Sequence, residues 1–158
     1  MPEFVIPEAI IKLLDEADWI SLATRDTAGS PNAANKFMLK CEAPCVYLVD
    51  FARGKTWQNI KNHERVAFPI METDNLVDYQ LSGEARLIEK GKRFEELKRE
   101  LLSRELRFST KRVIEGIRRE RGHTSFQFPN TDDALIIEVR VDDIVVRGPQ
   151  VQDVSGLG

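Results

Sequence analysis

Cysteine and histidine are scarce here: the 158 residues hold two of each, Cys41 and Cys45, His63 and His123. Two thiols cannot build the disulfide framework of a small secreted domain. Their C-x3-C spacing is not the C-x2-C of zinc ribbons or redox helices, and no second pair completes four ligands, so no metal is expected. Glu95, Glu96 and Glu100 also lack a histidine at metal spacing. No apolar run approaches the length that spans a bilayer. The start, MPEFVIPEAIIKLLDEADW, has no basic region before its apolar residues and interrupts them with acids, which argues against a secretory signal. A cytoplasmic protein is the expectation. An overall basic excess is missing too: the formal net charge is −3, so the composition does not point to nucleic acid. Base is concentrated locally, with 12 Lys or Arg against 6 Glu from Lys90 to Arg121, a pattern expected of solvated helices.

What is present begins with GKTWQNIKNHERVAF, Gly54 to Phe68. Gly54-Lys55-Thr56 ends like a nucleotide-binding loop, but such a loop needs glycine five places earlier, where its backbone curls around phosphates. Val49 stands there, inside the strand-like run CVYLVDF. ATP or GTP chemistry is thereby excluded, although a lysine and a hydroxyl at a helix start can still hold an anion.

Pro7 suits the first turn of a helix whose Ile10, Ile11, Leu13, Leu14 and Ala17 form an apolar stripe ending near Asp18. WISLAT is rich in β-formers, RDTAGSPN is a turn, and ANKFMLK pairs back as a second strand. CVYLVDF, RVAFPIM and YQLSGEARLIE follow as strands, with a short helix from Lys55 to about His63 turning Trp57 and Ile60 inward. The glycine inside YQLSGEARLIE marks a bulge or a close backbone approach. From Lys90 to about Gly122 the period is helical. Phe94, Leu97, Leu101, Leu102 and Leu106 form one stripe, and Val113, Ile114 and Ile117 another after a break near Ser109. ALIIEVRV and DIVVRG supply one or two closing strands. Hairpin-length gaps leave no room for crossover helices, so the expected fold is mainly β with peripheral helices, an antiparallel barrel of six or seven strands. Residues 1–148 make one domain, and 149–158 a flexible tail.

In this order, ISLATRD, the turn ending in Pro31, AANKFMLK, VYLVDF and the K-T-x-x-N-x-x-x-x-x-R-V pattern of Lys55 to Val66 resemble the FMN-binding split β-barrel family, which includes pyridoxamine 5'-phosphate oxidase. The resemblance covers about Ile6 to Glu89 well and Ala134 to Gly148 loosely, and makes the 90–122 helices an insertion. It implies an FMN phosphate at the start of the Lys55 helix, held by Gly54, Lys55 and Thr56 with Arg53 as a second cation. Asn35, Lys36 and Phe37 would line the isoalloxazine ring, and Asp50 and Phe51 would offer backbone groups near it. Asn59 would reach the ribityl chain or phosphate, while Gln80 and Ser82 would face the cofactor from below.

The resemblance further implies a homodimer with the flavin groove at its interface, acting as an oxidoreductase on a small molecule or redox partner. No catalytic side chain is assigned, in keeping with chemistry carried by the flavin. The ending RVDDIVVRGPQ lacks the tryptophan-rich pattern of the oxidase, so pyridoxamine phosphate is not the expected substrate. An electron carrier, or a haem- or flavin-binding protein without catalysis, is the alternative. The 90–122 helices discriminate: covering the flavin face favours a carrier, forming its rim favours an enzyme.

Overall fold

The computed structural model describes residues 3–118 and 129–149. The expected bulge, His123 and the 150–158 part of the tail fall on either side of that boundary: Gly83 lies within it, the other two outside. Six antiparallel strands close into a barrel: β1 (Trp19–Arg25), β2 (Pro31–Glu42), β3 (Cys45–Asp50), β4 (Arg65–Glu72), β5 (Val77–Ile88) and β6 (Leu135–Arg147). Their order around the barrel is β1-β2-β3-β6-β5-β4, closed where Ala23 of β1 meets Ala67 of β4. The mainly-β architecture with peripheral helices is as the sequence implies. ALIIEVRV and DIVVRG are one strand, since β6 continues through Asp142 and Asp143.

Alternation along the strands sorts side chains onto two faces. Ile20, Leu22, Met38, Val46, Leu48, Val66, Phe68, Leu81, Ile137 and Val139 fill the interior. Helix α1 (Glu8–Glu16) adds Ile10 and Leu14 to this core, and α2 (Lys55–Asn62) adds Ile60. A second core lies outside the barrel, where Phe37, Leu39, Tyr47, Val49 and Ile136 pack beneath Leu97, Leu101 and Phe108 of α3 (Lys92–Arg118). The strands β2, β3 and β6 are therefore apolar on both faces, as strands covered on both sides must be.

Gly83 permits the β5–β6 register shift. A Cβ there would stand 2.1 Å from the Arg140 carbonyl oxygen, a backbone clash that only glycine avoids.

Two sequence expectations for the insertion are corrected. First, α3 runs unbroken through Ser109, because Ser109 and Thr110 do not interrupt a helix when the hydroxyl bonds back; Thr110 Oγ1 donates to the Leu106 carbonyl at 2.8 Å. Second, Leu102 and Leu106 are 50% and 69% exposed. Phe108, one heptad beyond the buried Leu101, is the residue that continues the packed face. Val113 and Ile114 are exposed as well.

Candidate functional site

The turn from β3 into α2 carries most of the residues singled out in the sequence. Gly54 precedes the helix in extended conformation and offers no side-chain cap, and the first turn contains no acid. The leading N–H groups of α2 thus keep their positive end clear for an anion. Lys55 is exposed beside them. Arg53 is also exposed; it pairs with Glu89 at 3.3 Å and lies 5.5 Å from the Trp57 ring centroid. Glu89 accepts from Trp57 Nε1 at 3.1 Å, and the Lys61 ammonium sits 3.9 Å from the same ring. Trp57 is half-buried in this cation-lined surface instead of turning fully inward.

Thr56 and Asn59, by contrast, are buried. Asn59 Nδ2 donates to Thr24 Oγ1 at 3.0 Å, and Asn32 Nδ2 reaches Thr56 Oγ1 at 3.5 Å. Thr24 and Asn32 face each other across the β1–β2 ladder. These two contacts fasten α2 to the rim of the barrel, so Thr56 and Asn59 act on the site by fixing the helix. Thr24 and Asn32 were missed in the sequence. Thr24 did leave a signal, a hydroxyl on the inward phase set by Ile20 and Leu22.

Lys36 and Asp50 point inward from β2 and β3, sharing the phase of Met38 and Leu48. Lys36 Nζ lies 2.8 Å from Asp50 Oδ2, and both side chains are more than nine-tenths buried. The approach falls outside hydrogen-bond geometry, leaving Oδ2 with Coulomb attraction but no directed bond. Oδ1 accepts from Ala52 N at 3.2 Å, which ties the pair to the turn leading into α2.

Phe37 faces the opposite way, fully buried under α3. Its ring makes edge contacts with Trp19 at 5.4 Å and Phe108 at 5.7 Å, and lies 6.3 Å from Phe51. Asn35 is exposed. Gln80 and Ser82 sit on β5 opposite Pro69 and Ala67, and no hydrogen bond among the described residues joins either to α2. The structure therefore strings Asp50, Phe51, Arg53, Gly54, Lys55, Thr56 and Asn59 along one strand-to-helix turn, with Lys36 meeting Asp50 from inside the barrel and Phe37 meeting Phe51 in the outer core; Asn35 shares the outward phase of Phe37 but is exposed, and Gln80 and Ser82 lie on β5.

Polar contacts hold α3 over this region. Lys40 bridges Glu42 and Glu100, at 2.5 and 2.8 Å. Burial opposes the Lys40 charge, but the bonds from Glu100 and Glu42 outweigh it and raise its pKa. Arg93 pairs with Glu42 at 2.6 Å, and Lys111 with Asp18 at 3.3 Å. The Arg104 guanidinium donates to the Asp15 and Ala17 carbonyls at 3.2 and 2.8 Å, capping the end of α1. Burial, reinforced by Arg107, lowers the Arg104 pKa.

The cysteines take no part. Cys41 packs toward the interior and Cys45 toward the outer core, on opposite faces of the β2–β3 hairpin. Burial, with smaller contributions from Asp15, Cys45 and Glu42, pushes the Cys41 thiol up to about 11. Among the described residues, no group of three or more His, Cys, Asp and Glu side chains is placed to hold a metal. Nor is any described helix long and apolar enough to cross a membrane.

The family profile of pyridoxamine 5'-phosphate oxidase matches residues 6–141. The chain belongs to this family. No curated protein matches it. Solved structures share its fold: HupZ of Group A Streptococcus has a TM-score of 0.64 at 16% identity, covering 92% of this chain and 96% of that one. A structure named F420 reductase gives 0.58 at 17% identity, covering 89% and 98%. A protein of Clostridium acetobutylicum related to general stress protein 26, of the pyridoxinephosphate oxidase family, gives 0.58 at 12%, covering 91% and 92%.

Proposed function

We propose that this member of the pyridoxamine 5'-phosphate oxidase family binds FMN as a homodimer and exchanges electron pairs with a small molecule. The observation that carries the reading is the uncapped, acid-free start of α2 between the exposed cations Arg53 and Lys55. Its donors suit the terminal phosphate of a flavin mononucleotide. Phe51 begins the same turn and offers an aromatic surface near that phosphate. The neighbour named F420 reductase lends support to a flavin-type cofactor.

A bound flavin would supply two-electron chemistry at its ring. The chain's own contribution is positional: Thr24, Asn32 and Asn59 fix α2, and Asp50 fixes the turn before it. Lys36 and Asp50 form a buried, mutually neutralised pair that ties β2 to β3 beneath this turn.

The dimer reading rests on the outer face of β1, β2 and β4. Ala23, Ala33, Pro69 and Met71 are exposed there around the Ala23–Ala67 closure, forming a surface of small and apolar side chains. A second reading, a carrier without a substrate pocket, is favoured by one observation: α3 covers Phe37 and Val49 instead of rimming them.

Purified protein tests the proposal directly, through its visible spectrum and the mass of any released chromophore. A flavin spectrum supports it, a haem spectrum moves the chain to the alternative, and refusal of added FMN refutes it. The Lys55→Ala variant should bind FMN about tenfold more weakly, the worth of one charge-assisted contact. Riboflavin, which lacks the phosphate, should be unaffected, and equal losses for both ligands would place the phosphate elsewhere.

A further inference from the structure

The cation-lined surface around Trp57 contains one carboxylate that belongs to neither the turn nor the helix. Glu89 follows Ile88, the last residue of β5. Its Oε1 lies 3.3 Å from Arg53 Nη1 and accepts from Trp57 Nε1 at 3.1 Å. The Arg53 guanidinium in turn lies 5.5 Å from the centroid of the Trp57 ring, which closes a triangle of carboxylate, indole and guanidinium. Among the described residues, Arg53 is the one cation of this surface with an acid partner; Lys61 meets only the Trp57 ring, and Lys55 is exposed without an ion pair.

The same guanidinium is therefore claimed by two anions, Glu89 and a phosphate at the start of α2. The Arg53 and Glu89 side chains are 62% and 36% exposed, and a pair so open to water is held weakly. Glu89 also keeps its bond from the Trp57 indole when Arg53 departs, so release leaves no carboxylate stranded. A phosphate monoester brings three acceptor oxygens and a charge of about −1.5 to −2. It can meet Lys55 and the leading N–H groups of α2 together with Arg53, and Glu89 bonds none of those N–H groups.

We propose that Glu89 is the resident counter-ion of the phosphate position: it holds Arg53 in the unliganded protein, and the incoming phosphate takes Arg53 from it. This rests on the FMN reading and adds to it a residue that sets the affinity without touching the ligand. Apparent affinity then equals the affinity of the site with Arg53 available, reduced by the fraction of protein in which Glu89 has let it go. Neutralising Glu89 raises that fraction, and it does so only through Arg53.

The test is a double-mutant cycle in protein carrying Trp19→Phe, which leaves Trp57 as the sole tryptophan: the parent, Glu89→Gln, Arg53→Ala and the two combined. Each is titrated with FMN, riboflavin and inorganic phosphate, with Trp57 fluorescence as the signal. Glu89→Gln should tighten FMN and inorganic phosphate about three- to fivefold, the worth of one exposed pair. Riboflavin should be unaffected, and the gain should vanish in the Arg53→Ala background. A gain that persists without Arg53 is simple repulsion of the ligand and overturns the proposal. Weaker binding overturns it too, because Glu89 would then be aiming Arg53 at the phosphate, as does an unchanged affinity; all three leave the FMN reading intact. Refusal of FMN by a parent that still binds inorganic phosphate sinks the FMN reading alone, and the phosphate cycle decides this one. Binding of neither ligand refutes both.

Discussion

Replacing Lys36 by Met would leave Asp50 Oδ2 in the barrel wall without its counter-charge. The pair is 2.8 Å apart and its side chains are 8% and 9% exposed, so water cannot substitute for the missing ammonium. Breaking a buried pair from one side costs about 3–5 kcal/mol. For a domain of this size each kcal/mol lowers Tm by about 2–4 °C, giving a fall of about 6–20 °C. Truncating both partners, Lys36→Met with Asp50→Asn, should recover most of that loss because no uncompensated charge remains. Urea unfolding of the parent, both single variants and the double variant closes a double-mutant cycle. The expected coupling is at least about 2 kcal/mol, a conservative share of the buried-pair cost. A Lys36→Met protein within 1 kcal/mol of the parent would refute the reasoning, showing that Asp50 finds water or another partner. Added FMN should not change the cycle's sign, since the pair stabilises the barrel whether or not a cofactor is present.

Three further outcomes are expected. Gly83→Ala should destabilise by about 3 kcal/mol or more in urea, at or above the upper end for overpacking, because the clash is with the Arg140 carbonyl and cannot be relieved by a rotamer. On the proposed dimer, Ala33→Arg should give a monomer in light scattering and weaken FMN binding with it; a variant that stays dimeric places the interface on another face, and a monomeric parent refutes the dimer. Cys41 sets a pH dependence: below about 9 its thiol is neutral folded or unfolded, but between about 9 and about 11 the unfolded chain ionises first. Stability should therefore decline as pH rises through that window. Cys41→Ala should flatten the decline, and an unchanged slope would mean that other groups control it.

Strand identity was legible because alternation and β-branched runs are local signals. The Lys55 helix was legible because Gly54 and the end of β3 bracket it. What the sequence concealed were inward and outward phases on doubly covered strands. In NKFML, Lys36 enters the barrel while Phe37 leaves it, and both are buried, so periodicity alone could not separate the two cores. The same limit hid Thr24 and Asn32, whose role depends on a helix that follows 24 residues after Asn32. In α3, Leu102 and Leu106 imitate core positions by composition, but Leu97, Leu101 and Phe108 lie on the face toward β2 and β3. The aromatic at one heptad spacing was the better guide.

The place of β6 has a consequence for how the protein is made. It is the last of the described strands, yet it lies between β3 and β5 and hydrogen-bonds to both. While the chain emerges from the ribosome, β3 and β5 must wait with unpaired edges, each apolar on its buried face. Such edges are templates for association with other chains. Closure joins Cys45 to Arg140 and Asp50 to Leu135 across the long α3 excursion, a contact of high sequence separation that folds slowly. Nascent chains stalled before Leu135 should accordingly depend on chaperones, whereas release of β6 converts two sticky edges into a continuous wall.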